Sequence, residues 1–191
     1  MLQVENERSV ANTARVFVGI KIAPEIAQVL AQRARLIESH PSRFVPCEDI
    51  HLTLLSPWDE TCLPETIEKL RAASSGLEPF TLAFTRLSYW PSPDRPRLLC
   101  AECTPTDELK ALQSALLSAF GQKNDRPFEP HVTLARMQKG GRGAAGESQT
   151  DQELSFVQSV DSVQLFKSPT QAGEGYQILA SFPLAATHSR P

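Results

Sequence analysis

The sequence predicts an α+β protein built from two similar halves. Apolar runs typical of strands mix with helical stretches, without the regular strand–helix–strand rhythm of a doubly wound sheet. The stretch HLTLL at residues 51–55 returns as HVTLA at residues 131–135, and each copy follows a predicted helix of about 15 residues. At 191 residues, the chain is long enough for one domain that buries its core without disulfides.

The first half begins with a predicted core strand at residues 14–22, ARVFVGIKI, which is β-branched and apolar. A helix is predicted over residues 24–39, where Pro and Glu precede apolar residues at helical spacing. A short strand at 43–45 and the HLTLL strand at 51–55 come next. A second helix is predicted over 63–74, with Pro in its first turn.

The second half begins with predicted strands at 80–90 and 95–103, joined by a Pro-rich turn. A helix over 106–120 has Thr106 as its expected cap and Gly121 as its stop signal. The HVTLAR strand at 131–136, a flexible loop at 139–148 and strands at 158–166 and 175–184 complete the chain. We therefore expect one domain over 14–184, with flexible tails at 1–13 and 185–191.

Charge and composition limit the classes of function. The net charge of −3 argues against broad binding to long duplexes, which requires a basic face, but it permits a small phosphate-bearing substrate or a nucleic-acid end. No apolar run approaches the roughly 18 residues that span a bilayer, and the N-terminus lacks a secretory core. The four cysteines suit a reducing compartment, so we expect a cytoplasmic protein without membrane binding.

The repeated stretch carries the chemistry. Residues two apart in a strand point to the same face, so His51 shares a face with Thr53, and His131 with Thr133. An imidazole can donate or accept a proton near neutral pH, and a hydroxyl can donate a hydrogen bond to a phosphate oxygen. Two facing pairs could hold one phosphate while one histidine activates water and the other protonates the leaving oxygen. No metal is needed, because an imidazolium can protonate a leaving alkoxide.

The paired HxTL strands, 80 positions apart, resemble the two-histidine (2H) phosphoesterase superfamily. The stretches RFVPCEDIHLTLL, YWPSPDRPRLLC and RPFEPHVTLAR resemble its RNA 2′,3′-cyclic phosphodiesterase branch, also called 2′-5′ RNA ligase-like. The similarity covers about residues 14–184. It implies a bilobal fold with pseudo-twofold symmetry, in which two antiparallel sheets flanked by helices form a central cleft that carries both HxT strands.

The resemblance also implies an activity, namely metal-independent hydrolysis of RNA 2′,3′-cyclic phosphate ends to the 2′-phosphate. We expect a monomer that uses no cofactor. His51 is expected as the proton donor and His131 as the proton acceptor, although reversal of the reaction swaps these roles. Thr53, Thr133 and Arg136 are expected to bind the phosphate. Plain alternation points Arg136 away from His131, so a bulge or a strand end must turn it inward.

One departure from the family pattern concerns the substrate. The family has an aromatic residue five positions after the first histidine, where this chain has Ser56. A serine cannot stack on a base, and Trp58 or Trp90 could either replace the aromatic or belong to the core. Two alternatives therefore stay open. One is a 2H enzyme for another small cyclic phosphate or a 2′-5′ linked oligonucleotide, and the other is a non-catalytic RNA-end binding module.

Other motifs are weak. GRGAAG at 141–146 has the glycine spacing of a dinucleotide loop, but four residues separate it from the preceding strand. Lys139, just before this stretch, and Arg142, within it, could contact an RNA backbone. Cys100 and Cys103 lie in a predicted strand, which disfavours zinc and redox roles. We expect His40 and His188 to have no role.

Overall fold

The computed structural model describes residues 13–37, 43–124, 126–137, 152–171 and 173–184. These ranges contain nine strands, three helices and one 3₁₀ turn at Cys47–Asp49. In chain order the helices and strands are β1 (Ala14–Lys21), α1 (Pro24–Ile37), β2 (Arg43–Phe44), β3 (His51–Glu60), α2 (Leu63–Ser74), β4 (Phe80–Trp90), β5 (Leu98–Cys103), α3 (Asp107–Ala119), β6 (His131–Arg136), β7 (Glu153–Val160), β8 (Ser162–Lys167) and β9 (Gln177–Pro183). The predicted α+β class is confirmed.

The strands form one antiparallel sheet with two four-stranded halves. The order is β7-β4-β5-β6-β3-β1-β8-β9, and the short β2 pairs with β6. Each half is internally well paired, but β3 and β6 pair only at Leu52 and Val132, and the short β2 adds two further pairs between the first half and β6. The two expected sheets are therefore present as halves that share a narrow junction.

The two halves repeat one arrangement. The succession β1–α1–β3 in one half corresponds to β5–α3–β6 in the other, and each HxT strand is the innermost strand of its half. The helices cross the junction, because α1 packs against β6 and α3 packs against β3. Packing of helices on the opposite half thus supplements the few strand pairs that join the halves.

The core explains why the helices form where the sequence predicts them. Leu109, Leu112 and Leu116 of α3 lie on one face and are at most 1% exposed, which is the apolar stripe of a helix that covers a sheet. The Thr106 hydroxyl accepts a hydrogen bond from the Leu109 N–H at 3.3 Å, so the predicted cap is confirmed. The helix predicted over 63–74 is confirmed with the same bounds.

Some predicted boundaries were wrong. The first histidine strand does not stop at residue 55 but continues to Glu60, because its pairing with β1 runs on to Ala14. Pro57 is tolerated there, because the pairing of β3 with β1 shifts register between Leu55 and Trp58 and leaves Pro57 without a partner residue. The strand expected at 95–103 begins at Leu98, and α1 ends at Ile37 within the described residues.

The single strand predicted over 158–166 was also wrong. The structure has two strands there, β7 and β8, separated at Asp161. The cause is topological, because β7 pairs with β4 in one half while β8 pairs with β1 in the other. The chain therefore passes between the halves at this residue.

Several predictions fall outside the described residues. They concern the tails at 1–12 and 185–191, the GRGAAG loop with Lys139 and Arg142, and His40 and His188. Among the residues that are described, no helix is long and apolar enough to cross a membrane.

Candidate active site

A cavity of about 200 Å³ lies beside the junction of the two halves. The structure brings all five site residues expected from the sequence to this cavity. Its lining consists of Phe17, Val45, His51, Thr53, Pro57, His131, Thr133, Arg136, Ser168 and Tyr176. His51 immediately precedes Leu52, and His131 immediately precedes Val132. Leu52 and Val132 pair between β3 and β6, so the two HxT pairs meet at this cavity.

A bulge in β6 explains how Arg136 reaches the cavity. The neighbouring strand pairs with Thr133 and then with Ala135, so Leu134 is an extra residue in β6. Leu134 and Ala135 are consequently both buried, and alternation resumes one residue later. Arg136 therefore faces the same side as His131 and Thr133, and the bulge expected from the sequence is confirmed.

The same bulge occurs in β3. Its neighbour β1 pairs with Thr53 and then with Leu55, which leaves Leu54 as the extra residue. Ser56 is thereby turned to the face that carries His51 and Thr53. The fifth position after each histidine thus faces the junction in both halves. Arg136 occupies that position in one half, and Ser56 occupies it in the other.

Both histidines are held in the same way. Nδ1 of His51 lies 2.7 Å from the carbonyl oxygen of Asp49, and Nδ1 of His131 lies 2.9 Å from that of Glu129. A carbonyl oxygen only accepts hydrogen bonds, so each Nδ1 carries the proton. In the neutral imidazoles Nε2 is therefore the free basic nitrogen, and in the protonated forms it is the donor.

His51 is enclosed by aromatic rings. Its ring centroid lies 4.7 Å from that of Phe17, 5.5 Å from Phe166 and 5.0 Å from Tyr176, which meets it edge-on. Burial among these rings lowers the pKa of His51. The hydrogen bond to the Asp49 carbonyl and the charge of Asp49 oppose this, while the Arg136 guanidinium adds to it.

His131 has a different neighbour. The Trp90 indole stacks on its imidazole with ring centroids 4.4 Å apart and an interplanar angle of 27°. Trp90 belongs to β4, the third strand from the junction in its half, just as Phe166 belongs to β8 in the other. Trp58, the other tryptophan considered from the sequence, instead packs on Phe120. Its indole N–H donates to Glu60 at 2.9 Å.

Asp49 connects the Tyr176 segment to the histidine. Its carboxylate, buried at 5% exposure, accepts a hydrogen bond from the Tyr176 N–H at 2.8 Å, while its own carbonyl holds His51. Gly175 permits this approach, because a Cβ there would lie 2.9 Å from the Asp49 Oδ1. Phe17, Asp49 and Tyr176 could not be predicted as site residues, since nothing local in the sequence marks them as neighbours of His51.

Cys100 and Cys103 lie in β5, the strand that pairs with β6. Burial raises the pKa of both Cys100 and Cys103 to about 12, so both thiols stay protonated, and Cys100 contacts the Thr133 hydroxyl. Across the described ranges, no cluster of three or more His, Cys, Asp or Glu side chains is arranged to hold a metal ion.

Comparisons with known proteins place this site in a family. The model of the 2′-5′ RNA ligase superfamily matches residues 21–171. An RNA 2′,3′-cyclic phosphodiesterase of Bacillus subtilis (strain 168) is 31% identical over 137 residues, which cover 66% of this chain and 73% of that protein. A protein of the same name from Geobacillus stearothermophilus is 27% identical over 177 residues, which cover 88% of this chain and 56% of that protein.

Solved structures share the fold. The Thermus thermophilus protein TT0787 has a TM-score of 0.69 at 23% identity, over 91% of this chain and 100% of that chain. E. coli LigT complexed with phosphate has a TM-score of 0.70 at 24% identity, over 90% and 98%. At these identities the likeness shows the fold alone.

Fold, site and relatives define one class, the two-histidine phosphoesterases. The chain belongs to the 2′-5′ RNA ligase superfamily within that class. The resemblance found in the sequence is therefore confirmed, as is the expected hydrolase class, because both relatives are named as phosphodiesterases.

Proposed function

We propose that this chain hydrolyses RNA 2′,3′-cyclic phosphate ends to 2′-phosphates, by acid–base catalysis with two histidines and without a metal or another cofactor. The observation that carries the proposal is the single cavity lined by His51, Thr53, His131, Thr133 and Arg136. The names of the two relatives support the same substrate. A cytoplasmic monomer is part of this proposal.

In the proposed reaction, Nε2 of His131 removes a proton from water, and the water oxygen attacks phosphorus. The bond between phosphorus and O3′ breaks, and Nε2 of His51 donates its proton to O3′. The products are a 2′-phosphate monoester and a free 3′-hydroxyl. The backbone carbonyls on Nδ1 support the use of Nε2 in both rings, because they leave that nitrogen available for proton transfer. Each proton transfer contributes about 10²–10⁴-fold in rate.

Three other residues bind the phosphate in this proposal. The Thr53 and Thr133 hydroxyls donate to its non-bridging oxygens, and Arg136 offsets its negative charge. Burial lowers the pKa of His51, which favours the neutral ring while the cavity holds no anion. A phosphate monoanion beside His51 acts in the opposite direction and favours the imidazolium that a proton donor requires.

The decisive experiment replaces each histidine separately. His51→Ala and His131→Ala should each lower turnover of an RNA with a 2′,3′-cyclic phosphate end by at least about 10². Binding of the 2′-phosphate product should largely persist. His188→Ala serves as the control, because we expect no role for that histidine from the sequence.

Three outcomes would contradict the proposal. Undiminished hydrolysis by either variant would remove the two-histidine mechanism, and loss of wild-type turnover in EDTA would contradict metal independence. Binding of cyclic-phosphate ends without any wild-type turnover would instead favour a non-catalytic RNA-end binding module.

A second candidate follows from Ser56. The bulge in β3 turns this small side chain to the histidine face, in the position where the family has an aromatic. A 2H phosphodiesterase for another small cyclic phosphate or a 2′-5′ linked oligonucleotide is consistent with that change. Comparing kcat/KM over a panel of these substrates and cyclic-phosphate-ended RNAs distinguishes the two candidates.

A further inference from the structure

A larger groove of about 530 Å³ opens from the catalytic cavity. Thr53 and His131 line both the groove and the cavity, so one ligand can extend from the cavity into the groove. The volume lies in the range of roughly 300–1,000 Å³ that is usual for sites of small organic ligands. Ser56 and Trp90 form part of the wall next to the cavity.

The described residues that line the groove carry more positive than negative charge. Lys123 and Arg126, from the segment between α3 and β6, line it and are exposed. Neither side chain forms an ion pair with any other residue that the structure describes. Among the described residues of the lining Glu129 is the one acidic side chain, Asp125 between the two cations in sequence lies outside the described residues, and the chain as a whole has a net charge of −3. Positive charge concentrated here therefore favours an anionic ligand.

Two amides add hydrogen-bonding capacity to the same groove. Gln113, only 7% exposed, accepts a hydrogen bond from the Asn124 amide nitrogen at 3.0 Å. This arrangement leaves the Gln113 amide nitrogen as a donor and the Asn124 carbonyl oxygen as an acceptor. Paired donors and acceptors of this kind suit the edges of unstacked nucleobases.

We propose that this groove binds the RNA chain that leads to the cyclic phosphate, with Lys123 and Arg126 contacting the phosphodiester on the 5′ side of the terminal nucleoside. The inference rests on the proposed function and adds to it a preference for oligonucleotide ends over mononucleotides. A free 2′,3′-cyclic mononucleotide lacks that phosphodiester, whereas an oligonucleotide end carries it. The two cations therefore select chain ends over mononucleotides.

The test compares two substrates that differ by this one phosphate: a 2′,3′-cyclic mononucleotide and a dinucleotide ending in the same cyclic phosphate. Wild-type kcat/KM should be about 10-fold higher for the dinucleotide, and Lys123→Ala/Arg126→Ala should remove most of this preference. Mononucleotide turnover by the double variant reports that it is folded. Lys69→Ala is the charge control, because Lys69 pairs with Glu65 on α2 and lines neither space.

Salt dependence provides a second readout. Loss of one phosphate contact should reduce the slope of log kcat/KM against log salt by about 0.7 for the dinucleotide. Equal kcat/KM of the wild type for both substrates, or equal losses on both in the double variant, would overturn the inference and leave the proposed function intact. Absence of wild-type hydrolysis of either substrate would overturn both.

Discussion

Trp90 stacks on His131 at a centroid distance of 4.4 Å, and this contact makes the surroundings of the two histidines unequal. His51 is enclosed by three rings from its own half, whereas His131 has one large aromatic face beside it. The indole limits how far the imidazole can rotate about its side-chain bonds. We infer that Trp90 positions the Nε2 atom of His131.

Replacing Trp90 tests this positioning role. Trp90→Ala should lower kcat by about 3- to 10-fold, because an aromatic pair contributes about 0.5–1.5 kcal/mol beyond its buried area. Trp90→Phe should restore most of the loss, since a ring remains against the imidazole. Trp58→Phe is the matched control and should leave kcat unchanged, because Trp58 packs on Phe120 instead. Equal kcat for Trp90→Ala and wild type would rule out the role.

The pKa of His51 should lie below its ordinary value of 6.5 in the free protein, because burial disfavours the imidazolium. Asp49→Asn should lower it further by removing a favourable charge, and Arg136→Gln should raise it by removing an unfavourable one. NMR titration of the histidine Cε1–H signals measures all three values. Shifts of the two variants in the same direction would contradict this electrostatic account.

The same pKa shift predicts how stability depends on pH. Between the lowered folded value and 6.5, the unfolded state binds more protons at this site than the folded state. The free energy of unfolding should therefore fall as pH decreases through 6.5 and level off below the folded pKa. Thermal melts of wild type and His51→Gln across this range should differ in slope, with the variant lacking this contribution.

An added methyl group at Gly19, in the neighbouring strand β1, should disturb the active site through β3. A Cβ there would lie 2.5 Å from the Leu52 carbonyl oxygen, and Gly19 pairs directly with Thr53. Gly19→Ala should destabilise the fold by about 1–3 kcal/mol, because backbone must move, and it should lower activity by displacing β3. Denaturant unfolding and kcat measure the two effects.

Gly175→Ala provides the comparison for that variant. Its added Cβ would approach a side-chain oxygen of Asp49 at 2.9 Å rather than a backbone atom, so the structure can adjust more easily. We expect a smaller loss of stability than in Gly19→Ala. A larger loss at Gly175 would show that the Asp49 contact is more rigid than the β1–β3 approach.

Much of the site could be predicted from the sequence because it depends on local geometry. Alternation in a strand places His51 with Thr53 and His131 with Thr133, whatever the rest of the fold does. The bulge needed by Arg136 was also predictable, since without an extra residue its side chain points the wrong way. The orientation of Ser56 depends on a bulge of the same kind. The consecutive apolar residues Leu54 and Leu55 were the available signal for it.

The remaining features depend on contacts between distant parts of the chain. Phe17 lies in the apolar run of β1, which is buried on both faces, so its orientation towards His51 has no periodic signature. Tyr176 reaches the same histidine from just before β9 through the Asp49 carboxylate. The break at Asp161 separates strands of different halves, and local composition does not encode that switch.

Few backbone pairs join the two halves beside the catalytic cavity: Leu52 with Val132, and the two pairs between β2 and β6. A change in the relative position of the halves would therefore alter the spacing of His51 and His131 more readily than it would disturb the hydrogen-bond ladders inside either half. The packing of α1 on β6 and of α3 on β3 restrains that relative position. Substitutions in these helix contacts, remote from any phosphate, could therefore retune which leaving groups the site accommodates.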